Sequence, residues 1–133
     1  MDGFPGVACR VVASAREGDD AYVVVDTGPA GHPYLYGVAL AREDGGWSEV
    51  ASGNGGGWTV AGGSDELGTL HLWGEAPAGA DRVRAVYGTD VRERPVSGGT
   101  YLVTWWRVPA DGPAARVEAF RVGGRWHPAP AGR

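Results

Sequence analysis

The sequence predicts an all-β protein, an antiparallel β-sandwich of about eight to ten short strands with little helix. Two observations predict this fold class. Apolar residues alternate with polar ones or run in short blocks, and the period of an amphipathic helix is almost absent. The chain also has 24 glycines and 9 prolines, which end the apolar blocks and therefore indicate turns.

Each apolar block between turn residues is a predicted strand. In chain order, the predicted strands span residues 7–16, 21–27, 34–42, 47–52, 67–74, 82–87, 91–96, 100–108, 116–122 and 125–127. Glycine and aspartate tolerate the backbone conformation of tight hairpin turns. Such turns are predicted at residues 17–20, 43–46, 87–90, 97–99 and 122–125.

A chain of 133 residues fits one domain, and residues 1–133 are expected to form a single sandwich because no linker divides them. The stretch 61–66 is the expected loop or hinge. Apolar residues at alternating strand positions define the expected core. Its largely buried members are predicted to be Val23, Val25, Leu40, Leu72, Val83, Val103, Trp105 and Phe120.

The glycine-rich stretch SGNGGGW, residues 52–58, raises the question of a phosphate-binding loop. A G-x-G-x-x-G fingerprint fails there, because Trp58 or Val60 takes the place of the third glycine. No lysine follows, and no helix is predicted whose N-terminus would hold a phosphate. The stretch is therefore interpreted as a bend between two strands.

The composition argues against several classes of function. The formal net charge is −4 and no concentrated basic face is evident, so a nucleic-acid partner is not expected. No run of 18 apolar residues occurs, so no membrane partner is expected. Cys9 is the only cysteine and the N-terminus lacks the pattern of a signal peptide, which favours a cytoplasmic location.

Residues for catalysis or metal binding do not form a pattern. His32, His71 and His127 are far apart, without metal-ligand spacing, and no serine lies in a G-x-S-x-G elbow. Most carboxylates lie in predicted turns, where they are commonly solvated. The sequence therefore predicts no catalytic residue, no metal and no cofactor.

The six tryptophans are the most unusual feature of the composition. Trp105 and Trp106 are adjacent on a predicted strand, so their side chains point to opposite faces. Tyr101 and Val103 are expected on the face of Trp105, and Val108 on the face of Trp106. Either this strand is covered on both sides, or one indole is exposed.

Tryptophans outside the core are candidate binding residues, because an exposed indole buries a large area on a partner at low entropic cost. Trp58 follows three glycines and Trp126 lies near the C-terminus, and both positions favour exposure. Trp106 is the third candidate.

Arginines at alternate positions of two neighbouring strands form a second candidate surface. Arg82 and Arg84 on one strand, with Arg92 and Arg94 on the next, are predicted to form a basic stripe on one face. Glu93 is expected on the opposite side of its strand. Such a stripe would bind carboxylates of an acidic partner through guanidinium forks.

The stretch from Leu70 to Pro109, LHLWGEAPAGADRVRAVYGTDVRERPVSGGTYLVTWWRVP, resembles small immunoglobulin-like or transthyretin-like β-sandwich proteins of GC-rich bacteria. The structural points of the resemblance are Gly79, Pro95, Gly99 and Trp105. The resemblance implies an immunoglobulin-like arrangement from Leu67 onward. It implies no activity and transfers no functional residue.

Together these observations predict a non-catalytic, intracellular β-sandwich that binds another protein or assembles with itself. Two alternatives belong to other classes. A carbohydrate-binding module would need a row of exposed tryptophans. An enzyme would need a site built from turn carboxylates and His71.

Overall fold

The computed structural model describes residues 10–28, 34–53, 57–60 and 67–129, and these contain strands and turns but no helix. The all-β prediction is confirmed. The described strands are β1 (Arg10–Glu17), β2 (Asp20–Asp26), β3 (Leu35–Glu43), β4 (Gly46–Gly53), β5 (Gly57–Val60), β6 (Leu67–Glu75), β7 (Ala80–Tyr87), β8 (Asp90–Pro95), β9 (Thr100–Pro109), β10 (Ala115–Val122) and β11 (Arg125–Pro128).

The predicted strands are present, and β5 is an addition to them. It was interpreted as part of a bend, yet it pairs antiparallel with β6, from Gly57 opposite His71 to Val60 opposite Gly68. The pattern missed it because four residues that begin with glycine are too few to show alternation. Residues 7–9, 54–56 and the expected loop 61–66 lie outside the described ranges.

The strands form three antiparallel sheets. The meander sheet has the order β1-β2-β3-β4, the central sheet β5-β6-β9, and the C-terminal sheet β11-β10-β7-β8. Tight turns connect successive strands where the sequence predicts them. Gly45 and Gly88, for example, have φ angles of 82° and 61°, a left-handed conformation that glycine adopts without steric cost.

Both faces of the central sheet are covered. On one face a buried cluster joins it to the meander sheet; its members are Tyr22, Val24, Ala39, Trp73 and Leu102. On the other face a second cluster joins it to the C-terminal sheet; its members are Val83, Ala85, Val103, Trp105 and Phe120. Strand β9 is therefore covered on both sides, with Trp105 in one cluster and Trp106 packed against the other.

A hydrogen bond and a ring stack connect the meander sheet to the central sheet. The Trp73 indole N–H donates to the Tyr22 hydroxyl at 3.0 Å, and the Tyr22 ring stacks on His71 with centroids 4.0 Å apart. Gly37 on β3 makes room for this contact, because a Cβ there would collide with the Tyr22 hydroxyl. This contact between the two sheets therefore requires glycine at position 37.

A β-bulge in β9 corrects one predicted face. Gly68 pairs with Val108 and Leu70 with Trp105, so two residues, Trp106 and Arg107, oppose a single residue of β6. The extra residue moves Val108 to the side of Trp105, where it packs against the C-terminal cluster. Arg107 has a φ of 57°, in the left-handed region that disfavours side chains.

The predicted core is correct for five of its members and wrong for three. Val23, Leu40 and Leu72 are half-buried. Val23 and Leu40 alternate along their strands with the inward-facing Tyr22 and Ala39, so they lie on the outer face of the meander sheet. Apolar residues occupy both faces of β2, and the pattern alone favoured the outer one, where Val25 is buried but Val23 is not. The buried members are Val25, Val83, Val103, Trp105 and Phe120.

We expect Trp105→Ala to lower the free energy of unfolding by about 3–5 kcal/mol, because it empties a large buried volume. Trp105 is 1% exposed, and its indole N–H donates to Asp90 at 3.1 Å. Trp47→Ala is the matched control, since Trp47 is 39% exposed. Urea unfolding measures both, and a loss below about 1 kcal/mol for Trp105→Ala would contradict the assigned burial.

We expect Arg107→Gly to raise the free energy of unfolding by up to about 1 kcal/mol, because glycine removes the strain of the positive φ. The lost ion pair contributes little, since the guanidinium is 3.7 Å from Asp20 and 62% exposed. Arg116→Gly, at an exposed position of β10, is the control and is expected to be destabilising. Chemical denaturation compares the two; a destabilised Arg107→Gly would argue against a strained bulge.

Candidate functional site

A cleft of about 710 Å³ lies where β1, β8 and β9 meet, and it is called the edge cleft below. Each of these strands is an outer strand of its own sheet within the described structure. Its volume is within the range of ligand-binding pockets. Three strands, each outermost in its own sheet, therefore border one space.

Strand β1 presents its backbone edge to the cleft. Every residue from Val11 to Glu17 lines it. Since successive side chains of a strand point to opposite faces, a surface that meets all of them meets the edge of the strand. Backbone donors and acceptors of β1 therefore border the cleft.

Strand β9 contributes a second edge, through Leu102, Thr104 and Trp106. The Arg92 guanidinium donates to the Thr104 carbonyl at 2.8 Å, so this carbonyl points away from β6 and towards β8. Backbone groups of alternate residues point the same way, so those of Leu102 also face the cleft. The side chains of Leu102 and Trp106 form an apolar part of its wall.

Arg92 and Arg94 give the cleft a positive lining, whereas the Arg16 guanidinium donates to the Gly18 carbonyl and lies 5.0 Å from the centre of the Trp47 ring. Arg92 is held in place by Asp90 at 3.2 Å and lies 5.5 Å from the centre of the Trp105 ring. Arg94 donates to the Glu93 backbone carbonyl at 2.7 Å and has no carboxylate partner within the described residues.

The predicted stripe of four arginines is wrong, because the register of β7 and β8 places them on opposite faces. Arg92 and Arg94 pair with the fully buried Ala85 and Val83, so their side chains project from the inner face of the C-terminal sheet. Residues opposite each other in antiparallel strands point to the same face. The other two arginines, Arg82 and Arg84, pair with Pro95 and Glu93 on the outer face.

Arg82 and Arg84 belong to a charge network outside the cleft. Glu93, expected on the opposite side, lies between them at 3.7 Å and 3.5 Å. Arg84 also contacts Glu118 at 3.7 Å, and its guanidinium covers the Trp126 ring at 4.0 Å. The positive charge of these two predicted site residues is therefore largely balanced by carboxylates.

The structure separates the three candidate tryptophans. Trp58 and Trp126 are half-buried, so the expectation that they are exposed is wrong. The Trp58 indole donates to the Val108 carbonyl at 2.9 Å, which fixes it across the central sheet. Trp106 is also half-buried, but it lines the edge cleft. The exposed tryptophan is Trp47, which the sequence did not single out.

A second cleft, of about 510 Å³, continues the edge cleft along β9. Both clefts are lined by Arg92 and Trp106, and the second one extends past Val108 to Pro113. The two clefts therefore lie next to each other along β9, and the Arg92 side chain, which bonds to Thr104, belongs to the boundary between them.

His71, the histidine of the enzyme alternative, is buried between the central and meander sheets and lines neither cleft. Both ring nitrogens are without a hydrogen-bond partner among the described residues. Burial lowers the pKa of His71 from 6.5 to about 4, so the ring is neutral near neutral pH. The described structure places no acid beside it.

The buried carboxylate Asp26 has a structural role. It accepts hydrogen bonds from the backbone N–H groups of Tyr34 and Gly28 at 2.9 Å, and from Arg10 at 3.0 Å. These bonds lower the pKa of Asp26, with the Tyr34 N–H contributing most. An ionised carboxylate with these partners is not available as a proton donor.

Comparison of the chain with protein-family models, curated proteins and solved structures finds no match. Within the described ranges, no histidine, cysteine and carboxylate groups cluster as metal ligands do. The same residues contain no helix that is long and apolar enough to cross a membrane. The candidate site is therefore argued from its geometry and charge.

We expect the stability of the protein to fall between pH 6.5 and about pH 4, by about 3 kcal/mol from His71 alone. In this range an unfolded histidine gains a proton that the buried ring does not accept, so stability is full above the window and is lost as the pH falls. His71→Leu should flatten this part of the profile, whereas His127→Leu, at an exposed position, should not. Urea unfolding at several pH values measures the free energy of unfolding. If its dependence on pH is the same in His71→Leu as in the parent chain, the burial of His71 is contradicted.

Proposed function

We propose that this protein is a non-catalytic, intracellular protein-interaction module that binds an extended segment of a partner in the edge cleft. The observation that carries the proposal is the convergence of three strand edges on one space. Strand edges without a neighbour bind extended peptides through backbone hydrogen bonds. The part of β9 that lines the cleft supplies the length that such a segment needs.

The length of the bound segment follows from the length of the β9 edge beside which it would lie. The edge of β9 that borders the cleft runs from Leu102 to Trp106. At a rise of about 3.3 Å per residue, a segment of roughly five residues matches this length. The half-buried Trp106 then provides apolar area at the end of the segment.

The strand order supports the immunoglobulin-like arrangement that we propose for β5–β11. In immunoglobulin nomenclature, β5, β6 and β9 take the places of strands A, B and E. Strands β11, β10, β7 and β8 take the places of G, F, C and C′ in the opposite sheet. The meander sheet is an addition to this arrangement, and its strand β1 forms one wall of the cleft.

The other two classes have less support. A sugar-binding surface needs a row of exposed indoles, and Trp47 is the exposed tryptophan of the described part of the chain. An acid–base site at His71 needs an acid beside an accessible imidazole, and the observed ring is buried. We therefore favour the interaction module.

The proposal predicts that a randomised pool of capped hexapeptides binds the full chain in the edge cleft. In NMR titrations, the amides that shift should belong to β1, β8 and β9. Ser97→Trp places a large side chain on an exposed position that lines the cleft, and we expect it to weaken binding roughly tenfold or more.

Ser48→Trp is the matched control, because Ser48 is an exposed serine of β4, an outer strand that does not line the cleft. It should leave peptide affinity unchanged. Absence of binding, or shifts confined to other strands, would contradict the proposed function. Thermal melts of both variants establish that any loss of binding occurs in a folded chain.

A further inference from the structure

We propose that the segment bound in the edge cleft is acidic, with two carboxylates at alternate positions and an apolar residue between them. This inference rests on the proposed function of the cleft and names the chemistry of its ligand. It is carried by the placement of Arg92 and Arg94, which both point inward from the edge strand β8.

The first argument is the local charge. The chain has a formal net charge of −4, yet Arg92 and Arg94 line the cleft side by side, and Asp90 is the carboxylate partner of Arg92 alone. On the outer face of the same sheet, arginines are balanced by acids: Arg84 contacts Glu93 at 3.5 Å and Arg121 contacts Asp81 at 2.8 Å. Arg94 has no such partner among the described residues, so its guanidinium is available to pair with a carboxylate of a ligand.

The second argument is preorganisation. The Arg92 guanidinium is fixed by Asp90, by the Thr104 carbonyl and by the face of the Trp105 ring. One nitrogen of Arg94 is held by the Glu93 carbonyl. A ligand therefore meets an Arg92 side chain that has already lost much of its rotamer freedom, which reduces the entropic cost of binding, whereas Arg94 is exposed and remains adjustable.

The third argument is spacing. Arg92 and Arg94 are alternate residues of one strand, so their Cα atoms are about 7 Å apart. Alternate residues of an extended peptide have the same separation and point the same way. Two acidic side chains with one residue between them therefore match the two guanidiniums.

The fourth argument concerns the residue between the acids. Its side chain points away from β8, towards the opposite wall of the cleft. That wall contains Ala13 of β1 with Leu102 and Trp106 of β9, which are apolar. An apolar side chain buries area there, whereas a polar one would lose water without gaining a partner.

The test uses three capped hexapeptides that differ only at their centre, which reads Glu-Leu-Glu, Gln-Leu-Gln or Glu-Glu-Leu. We expect Glu-Leu-Glu to bind the full chain roughly tenfold more tightly than Gln-Leu-Gln and to lose affinity as salt is added. Glu-Glu-Leu has the same charge with the wrong spacing and should bind more weakly than Glu-Leu-Glu. Calorimetry gives the affinities, and NMR shifts give the place of binding.

Arg94→Gln should remove most of the preference for Glu-Leu-Glu over Gln-Leu-Gln. Arg125→Gln, at an exposed arginine of β11 on the same sheet, should retain it. The Arg94→Glu variant should prefer a peptide in which one glutamate is replaced by lysine. This reversed preference is expected only if residue 94 contacts the peptide, and not if Arg94 has a merely structural role. Arg92 is left unchanged because it also holds the β9 edge.

The outcomes separate the two proposals. If all three peptides bind in the edge cleft with equal affinity, the interaction module stands and the acidic ligand is wrong. If none binds and no amide of β1, β8 or β9 shifts, the proposed function itself fails. If sedimentation shows a dimer whose interface fills the cleft and blocks the peptides, the acidic partner segment is likewise wrong.

Discussion

The architecture depends on the central sheet being covered on both faces. Strand β9 has Trp105 within one buried cluster and Leu102 within the other. A strand in this position loses the alternation of polar and apolar residues, since both of its faces need apolar side chains. The paired tryptophans at 105 and 106 follow from this constraint, and so does the position of β9 at the meeting point of three layers.

The sequence was sufficient for features that depend on neighbouring residues. Hairpin turns were predicted correctly because glycine and aspartate determine them locally, as at Gly45 and Gly88. Burial of Trp105 was also predicted correctly. Strand faces were harder, because apolar residues on both sides of β2 leave Val23 and Tyr22 equally plausible as core residues, and packing on the central sheet decides between them.

The candidate site depends on distant residues, so little of it was predictable. The register of β7 and β8 decides whether Arg94 joins Arg84 on one face or points inward. The predicted turn at 87–90 fixes this register locally by pairing Tyr87 with Asp90, so the faces of these arginines follow from the turn and were misassigned. Trp106 was a candidate from the sequence, but the neighbouring walls from β1 and β8 could not be foreseen. Edges of three sheets meet there only because those sheets are packed in this order.

The inward arginines also bear on how the protein behaves when it is crowded. An open strand edge invites the same edge of another copy, and this is a common start of aggregation. Two copies that met through β8 would bring Arg94 of each close to the other, and like charges would repel at short range. We therefore expect the guanidiniums of β8 to disfavour the pairing of two copies through this edge.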